Sequence, residues 1–176
     1  MKASLVVSVC ALVLAGCAGV SLRSPTAVAK LAPTRDSQVS GTVAFTQEGD
    51  KVRVEARIVG LNPGLHGFHV HERGDCTAPD GSSAGPHFNP HSGEHGGPDT
   101  STRHAGDLGT LEAGEDGVAV YRAQVAGISL GSGTDSIIGR SVIVHENPDD
   151  LSSQPAGGAG ARLACGLISK SADKWF

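Results

Sequence analysis

A chain of 176 residues leaves room for one ordinary domain, and with 25 glycines, 3% aromatic residues and no long amphipathic period it is not a helical bundle. The formal charge is −4 and no basic run occurs, which excludes nucleic acid as an expected partner. An acidic protein that handled an anion would need a local positive spot.

Taken in order, residues 1–16 read as a signal peptide. Lys2 supplies a positive start, and Leu5 to Leu14 form an apolar stretch shorter than the ~20 residues of a membrane span. Leu14-Ala15-Gly16-Cys17 resembles a bacterial lipobox, so cleavage before Cys17 and acylation of its thiol are expected. A plain secretory signal with a chance cysteine is the alternative. Residues 17–26 then form the lipidated N-terminus and tether, residues 27–170 the domain, and residues 171–176 a tail containing Trp175 and Phe176. The expected location is the periplasm or cell envelope, on a membrane through the lipid.

Within the domain, residues 28–31 read as a short opening strand. Residues 39–47 and 51–59 alternate with period two. In the second, Val52, Val54, Ala56 and Ile58 share one face while Lys51, Arg53, Glu55 and Arg57 share the other, so one side is wet. Glu48-Gly49-Asp50 between them predicts a hairpin turn. Residues 65–72 are strand-like. Residues 74–105 show no periodicity and many Gly, Pro and His, and a loop of that length is functional or disordered. Strand patterns resume at 108–112, 118–125, 141–145 and 162–169, with a second Gly/Pro loop at 146–161. The expected fold is all-β: an eight-stranded antiparallel Greek-key sandwich or barrel with two long functional loops.

Cys10 leaves with the leader and Cys17 carries lipid, so Cys76 and Cys165 remain as one potential pair in an oxidising compartment. Two buried thiols are the alternative. Six of the eight histidines, with Asp107, carry more information. His69-Val70-His71 places two imidazoles on one face of a strand, where they can chelate one metal. His87, His95 and His104 with Asp107 offer three imidazoles and a carboxylate, a four-coordinate set suited to zinc that would fix a loop with no core of its own. His69, His71 and His145 with one loop histidine would make a four-nitrogen set suited to copper.

Six motifs in order, Gly64-Leu-His-Gly-Phe-His-Val-His71, Gly85-Pro-His-Phe-Asn-Pro90, His95-Gly-Gly-Pro98, Arg103-His-Ala-Gly-Asp-Leu-Gly109, Ile138-Gly-Arg140 with Val144-His145-Glu146, and Gly160-Ala-Arg-Leu-Ala-Cys-Gly166, resemble those of copper/zinc superoxide dismutases. The resemblance implies an enzyme that disproportionates superoxide anion, with one copper and one zinc per chain. It implies that His69, His71 and His145 bind copper only, that His87 bridges both metals, and that His95, His104 and Asp107 bind zinc. It further implies that Asp149 hydrogen-bonds one histidine of each metal, that Arg162 is the active-site arginine, and that Cys76 and Cys165 form a disulfide. His66 matches a structural histidine that pins loops, whereas His91 is expected to be a solvated loop residue. A homodimer is compatible with the family, with no interface specified.

The chain also departs from the family. The 146–161 loop is short and contains no Lys, and Ala156 stands where a Thr often gates the channel. The acidic pair and lysine that shape the field in eukaryotic members have no counterpart. A copper-delivery module would lack some of the copper ligands present here, and a copper-only dismutase would lack His95, His104 and Asp107.

Overall fold

The computed structural model describes residues 26–171, so the leader, Cys17, the tether up to residue 25 and the tail beyond Ser171 lie outside the described residues. Eight strands form: β1 (Thr26–Pro33), β2 (Ser40–Glu48), β3 (Lys51–Val59), β4 (Gly64–His71), β5 (Asp107–Ala113), β6 (Ala119–Ala126), β7 (Ser141–His145) and β8 (Arg162–Ser171). They close into one antiparallel barrel in the order β1-β2-β3-β6-β5-β4-β7-β8, so no edge strand is left open. The jumps from β3 to β6 and from β4 to β7 give the Greek-key connectivity that the sequence predicts.

The alternation read in β3 sets its faces as expected. Val52, Val54, Ala56 and Ile58 are buried, and Lys51 and Arg57 are exposed. Glu48 pairs with Lys51 across the Gly49-Asp50 turn. β1 is longer than the sequence suggests, because its ends are recruited by distant partners: Thr26 pairs with Ser171, Ala32 with Cys165 and Pro33 with Ala164. The seam between β5 and β6 is thin, with the single pair Ala113–Ala119. There the Tyr121 hydroxyl donates to the Leu108 carbonyl at 2.8 Å, and its ring meets Phe68 edge-on with centroids 5.2 Å apart.

Three connections pack onto this barrel. The loop after β4 forms no core of its own but packs onto that of the barrel: Phe88 and Ala105 join the main apolar core. A third connection, residues 127–140, showed no sequence period but contributes Ile128, Leu130 and Ile137 to the same core. Arg140 fixes it by donating to the carbonyls of Ser136 and Glu72 while its guanidinium lies 3.5 Å over the Phe88 ring. The Cys76–Cys165 disulfide ties the loop after β4 to β8 across 89 residues of sequence. Closing a loop of that length is worth roughly 4–5 kcal/mol in the chain-entropy account.

Candidate metal centre

Three strands and the loop after β4 bring candidate ligands to one side of the barrel. On β4, residues alternate faces, so His69 and His71 project together, and β7 brings His145 alongside. The ladders are irregular between Gly67 and His69 and between Val144 and His145, which re-aims both side chains. The loop then delivers His87, His95 and His104, and Asp107 opens β5.

A closed ring of backbone hydrogen bonds joins the three segments. Phe88 N–H donates to Val70 O, Val70 N–H to Gly106 O, and Gly106 N–H to Phe88 O, each at 2.9 Å. Val70 sits between His69 and His71, Phe88 follows His87, and Gly106 lies between His104 and Asp107. A Cβ at Gly106 would collide with the Val70 carbonyl oxygen, so only glycine lets the segments approach this closely.

The side chains form two buried groups, His69, His71, His87 and His145, and His87, His95, His104 and Asp107, with the ligand atoms of each group within 4.8 Å of one another. Outer partners decide which nitrogen faces inward. His69 Nε2 donates to Asp149 Oδ2 at 2.7 Å and His95 Nε2 to Asp149 Oδ1 at 2.8 Å, leaving both Nδ1 lone pairs for the groups. His71 Nδ1 donates to Gly85 O at 2.9 Å and His145 Nδ1 to Gly160 O at 3.3 Å, leaving both Nε2 lone pairs. Those two Nε2 atoms then face each other at 3.3 Å. Two lone pairs so placed repel unless a cation lies between them.

The second group shows the same need. The Nδ1 atoms of His87, His95 and His104 surround Asp107 Oδ1 at 2.9, 3.1 and 3.3 Å. Its other oxygen is taken by the backbone N–H groups of Gly96 and His104. His69 Nδ1, His87 Nε2, His95 Nδ1 and His104 Nδ1 are buried without a hydrogen-bond partner. Buried polar atoms are nearly always paired, so four orphans aimed at two points fit metal ions and nothing apolar.

Electrostatics prepares the ligands. Burial pushes His69 and His71 well below the usual imidazole range, with repulsion from His87 and His145 reinforcing it. Burial likewise lowers His145 to about 4, against the pull of the Gly160 carbonyl and with help from His87 and Arg162. Burial also lowers His104, partly offset by Asp107. Burial alone would raise the Asp107 carboxyl, but the His87 hydrogen bond and the neighbouring imidazoles outweigh it and hold the group below its usual value. The rings so shifted are neutral and Asp107 is ionised near pH 7, the forms that coordinate metals.

A cavity of about 690 Å³ opens over the first group, lined by His71, His87, His145 and, on its rim, Arg162. Arg162 starts β8 and donates to the Gly81 and Gly85 carbonyls at 2.6 and 2.7 Å, in the segment held by the disulfide. Gly85 O thus serves both Arg162 and His71.

The remaining sequence expectations also have definite places. His66 is buried and lies 2.9 Å from both the His145 and Asn62 carbonyls, pinning two segments. His91 is exposed as expected but is not simply solvated, since it meets Asp135 at 2.7 Å. Sequence reasoning missed Gln154, which holds the backbone of His95. A side chain that bonds to backbone has no characteristic spacing to reveal it.

Two four-ligand groups that share one imidazole, set on a closed antiparallel barrel, define a dinuclear metalloprotein. The family model described as copper/zinc superoxide dismutase (SODC) matches residues 39–168, and the chain belongs to that family. It is an oxidoreductase that disproportionates two superoxide anions to dioxygen and hydrogen peroxide, using copper and zinc.

Proposed function

We propose that the two metals are divided by the two nitrogens of His87. His69 Nδ1, His71 Nε2, His145 Nε2 and His87 Nε2 hold copper. His87 Nδ1, His95 Nδ1, His104 Nδ1 and Asp107 Oδ1 hold zinc. The observation that carries this reading is that His87 Nδ1 faces Asp107 at 2.9 Å while its Nε2 is buried without a partner on the other side. A four-nitrogen set suits copper, and the set containing a carboxylate suits zinc.

Copper supplies the one-electron Cu(II)/Cu(I) cycle, and zinc a fixed charge that orders the loop. The protein's own part is to move a proton and attract an anion. His87 Nε2, when it is not holding the metal, would take up a proton from water. It would give that proton to a superoxide being reduced, and water would supply the second proton of the hydrogen peroxide that leaves. Asp149 keeps His69 and His95 in fixed tautomers throughout. Arg162, a permanent cation with planar donors, gives the acidic protein a local positive spot on the cavity rim.

Metal analysis of the purified mature protein beside a superoxide-consumption assay tests the assignment. One copper and one zinc per chain are expected. Zinc alone, with no copper uptake on reconstitution, overturns it.

The lipobox-like Leu14-Ala15-Gly16-Cys17 supports export and acylation of Cys17, which would place the enzyme in the periplasm or cell envelope on a membrane. Cys17→Ser is expected to yield soluble exported protein. Wild-type protein that already fractionates away from membranes overturns this reading. A second copy of the chain is the other proposed partner, and sedimentation of mature protein over a range of concentrations tests it.

A further inference from the structure

The second loop does more than carry Asp149. From Asp149 to Gly157 it closes on itself, with Asp150 N–H donating to Gly157 O at 3.0 Å and Gly157 N–H to Ser153 O at 2.7 Å. Inside this closure, Gln154 makes a two-point pair with the backbone of His95. His95 N–H donates to Gln154 Oε1 at 2.8 Å, and Gln154 Nε2 donates to His95 O at 3.0 Å. A further bond from Nε2 to Ser152 O at 3.2 Å fixes the amide within its own loop. On the other side of His95, Asp149 takes the ring Nε2–H. Gly157 is packed over that bond so closely that a Cβ there would strike Asp149 Oδ1.

His95 lies on no strand; its Nδ1 sits 3.1 Å from Asp107, and this loop holds the rest of it, the ring by Asp149 and the backbone by Gln154. The same residues face the other way as well. Ser153, Gln154, Pro155 and Ala156 form a wall of the cavity that also contains His71, His87, His145 and Arg162.

We propose that Gln154 is a positioning residue that locks the substrate-cavity wall to His95, so that zinc occupancy and the shape of the cavity are coupled. This rests on the assignment of His95 to zinc. The coupling is reciprocal: zinc fixes His95, which fixes the wall through Gln154, and an ordered wall favours zinc by the same factor. Gln is suited to this because one amide supplies both a donor and an acceptor at the reach of two methylenes. Gln154→Met keeps the length and removes both bonds. Gln154→Glu keeps the acceptor but sets an oxygen against the His95 carbonyl.

The test uses the mature disulfide-bonded protein. In chelator competition, Gln154→Met is expected to bind zinc about 10-fold more weakly, the low end for a partner that orients a ligand, with copper affinity of the zinc-free protein unchanged. Zinc should slow hydrogen exchange across residues 149–157 in the wild type and much less in Gln154→Met. With both metals saturating, kcat should be retained and KM raised. Gln154→Glu should behave like Gln154→Met. Wild-type zinc affinity and wild-type exchange in Gln154→Met overturn the proposal, as does an equal loss of copper and zinc, which would make Gln154 a general stability residue. His95→Ala separates the two levels: if it leaves zinc affinity intact, the zinc assignment itself is wrong.

Discussion

The rings of His69 and His95 stand with centroids 6.0 Å apart, and each donates a hydrogen bond to a different oxygen of the same Asp149 carboxylate. One belongs to the proposed copper set and the other to the proposed zinc set, so one acid fixes a tautomer on each side. The two sides differ in their other supports. His69 is also held by the β4 ladders, whereas His95 sits in a loop. Asp149→Ala is therefore expected to weaken zinc 10- to 100-fold and copper less, read by chelator competition. Equal losses would mean that β4 gives His69 no independent support.

His87 is the joint between the groups, and its removal should act on both. His87→Ala is expected to lower copper and zinc content together. His104→Ala should lower zinc and leave copper largely in place, because His104 belongs to one group only. Metal analysis of both variants decides this. Parallel loss of both metals in both variants would remove the case for a bridge.

Arg162 is the only basic residue between Glu146 and Leu167, and the chain around it is net acidic. Arg162→Ile should lower kcat/KM with both metals retained, and Arg162→Glu should lower it further by turning attraction into repulsion. Steering changes on-rates by ~10 to 1,000-fold, and the low end is expected because the short loop has no lysine. Wild-type activity should fall as salt rises, since the screening length is ~10 Å at 0.1 M, and Arg162→Ile should respond less. Full activity in Arg162→Ile would leave the residue only its bonds to Gly81 and Gly85.

Tyr121 is the only tyrosine, so its ionisation can be followed directly by ultraviolet absorbance. Burial raises its hydroxyl to about 12, against the opposing charge of Arg103. The folded phenol therefore keeps its proton after an unfolded one, near 10, has lost it. This contribution to stability is complete below pH 10 and is lost as pH rises through 12, on the order of 2–3 kcal/mol in all. A titration midpoint near 10 in the folded protein would contradict the buried bond to Leu108.

The sequence reveals the strands because half-buried strands carry a period of two, as in Val52, Val54, Ala56 and Ile58. It understates β1, whose ends are set by Cys165 and Ser171, partners that no local pattern encodes. It is silent on Ile128, Leu130 and Ile137, whose irregular loop packs without any period. The candidate ligands stand out because histidine is chemically marked, and the residues that the resemblance implies are those of the two buried groups. The supports that aim them are less visible. The ring formed by Val70, Phe88 and Gly106 is made of backbone, and Gln154 acts on backbone. Gly106, set between His104 and Asp107, is the one signal that could have pointed to a close approach there.

The register of β8 has a consequence for orientation. The strand begins at Arg162, on the rim of the cavity, and ends at Ser171, which pairs with Thr26 where the described chain begins. Its ten residues span ~30 Å at the usual rise of a strand. In a protein held to a membrane by Cys17, as proposed, the tether would therefore join the barrel at the end of β8 away from Arg162.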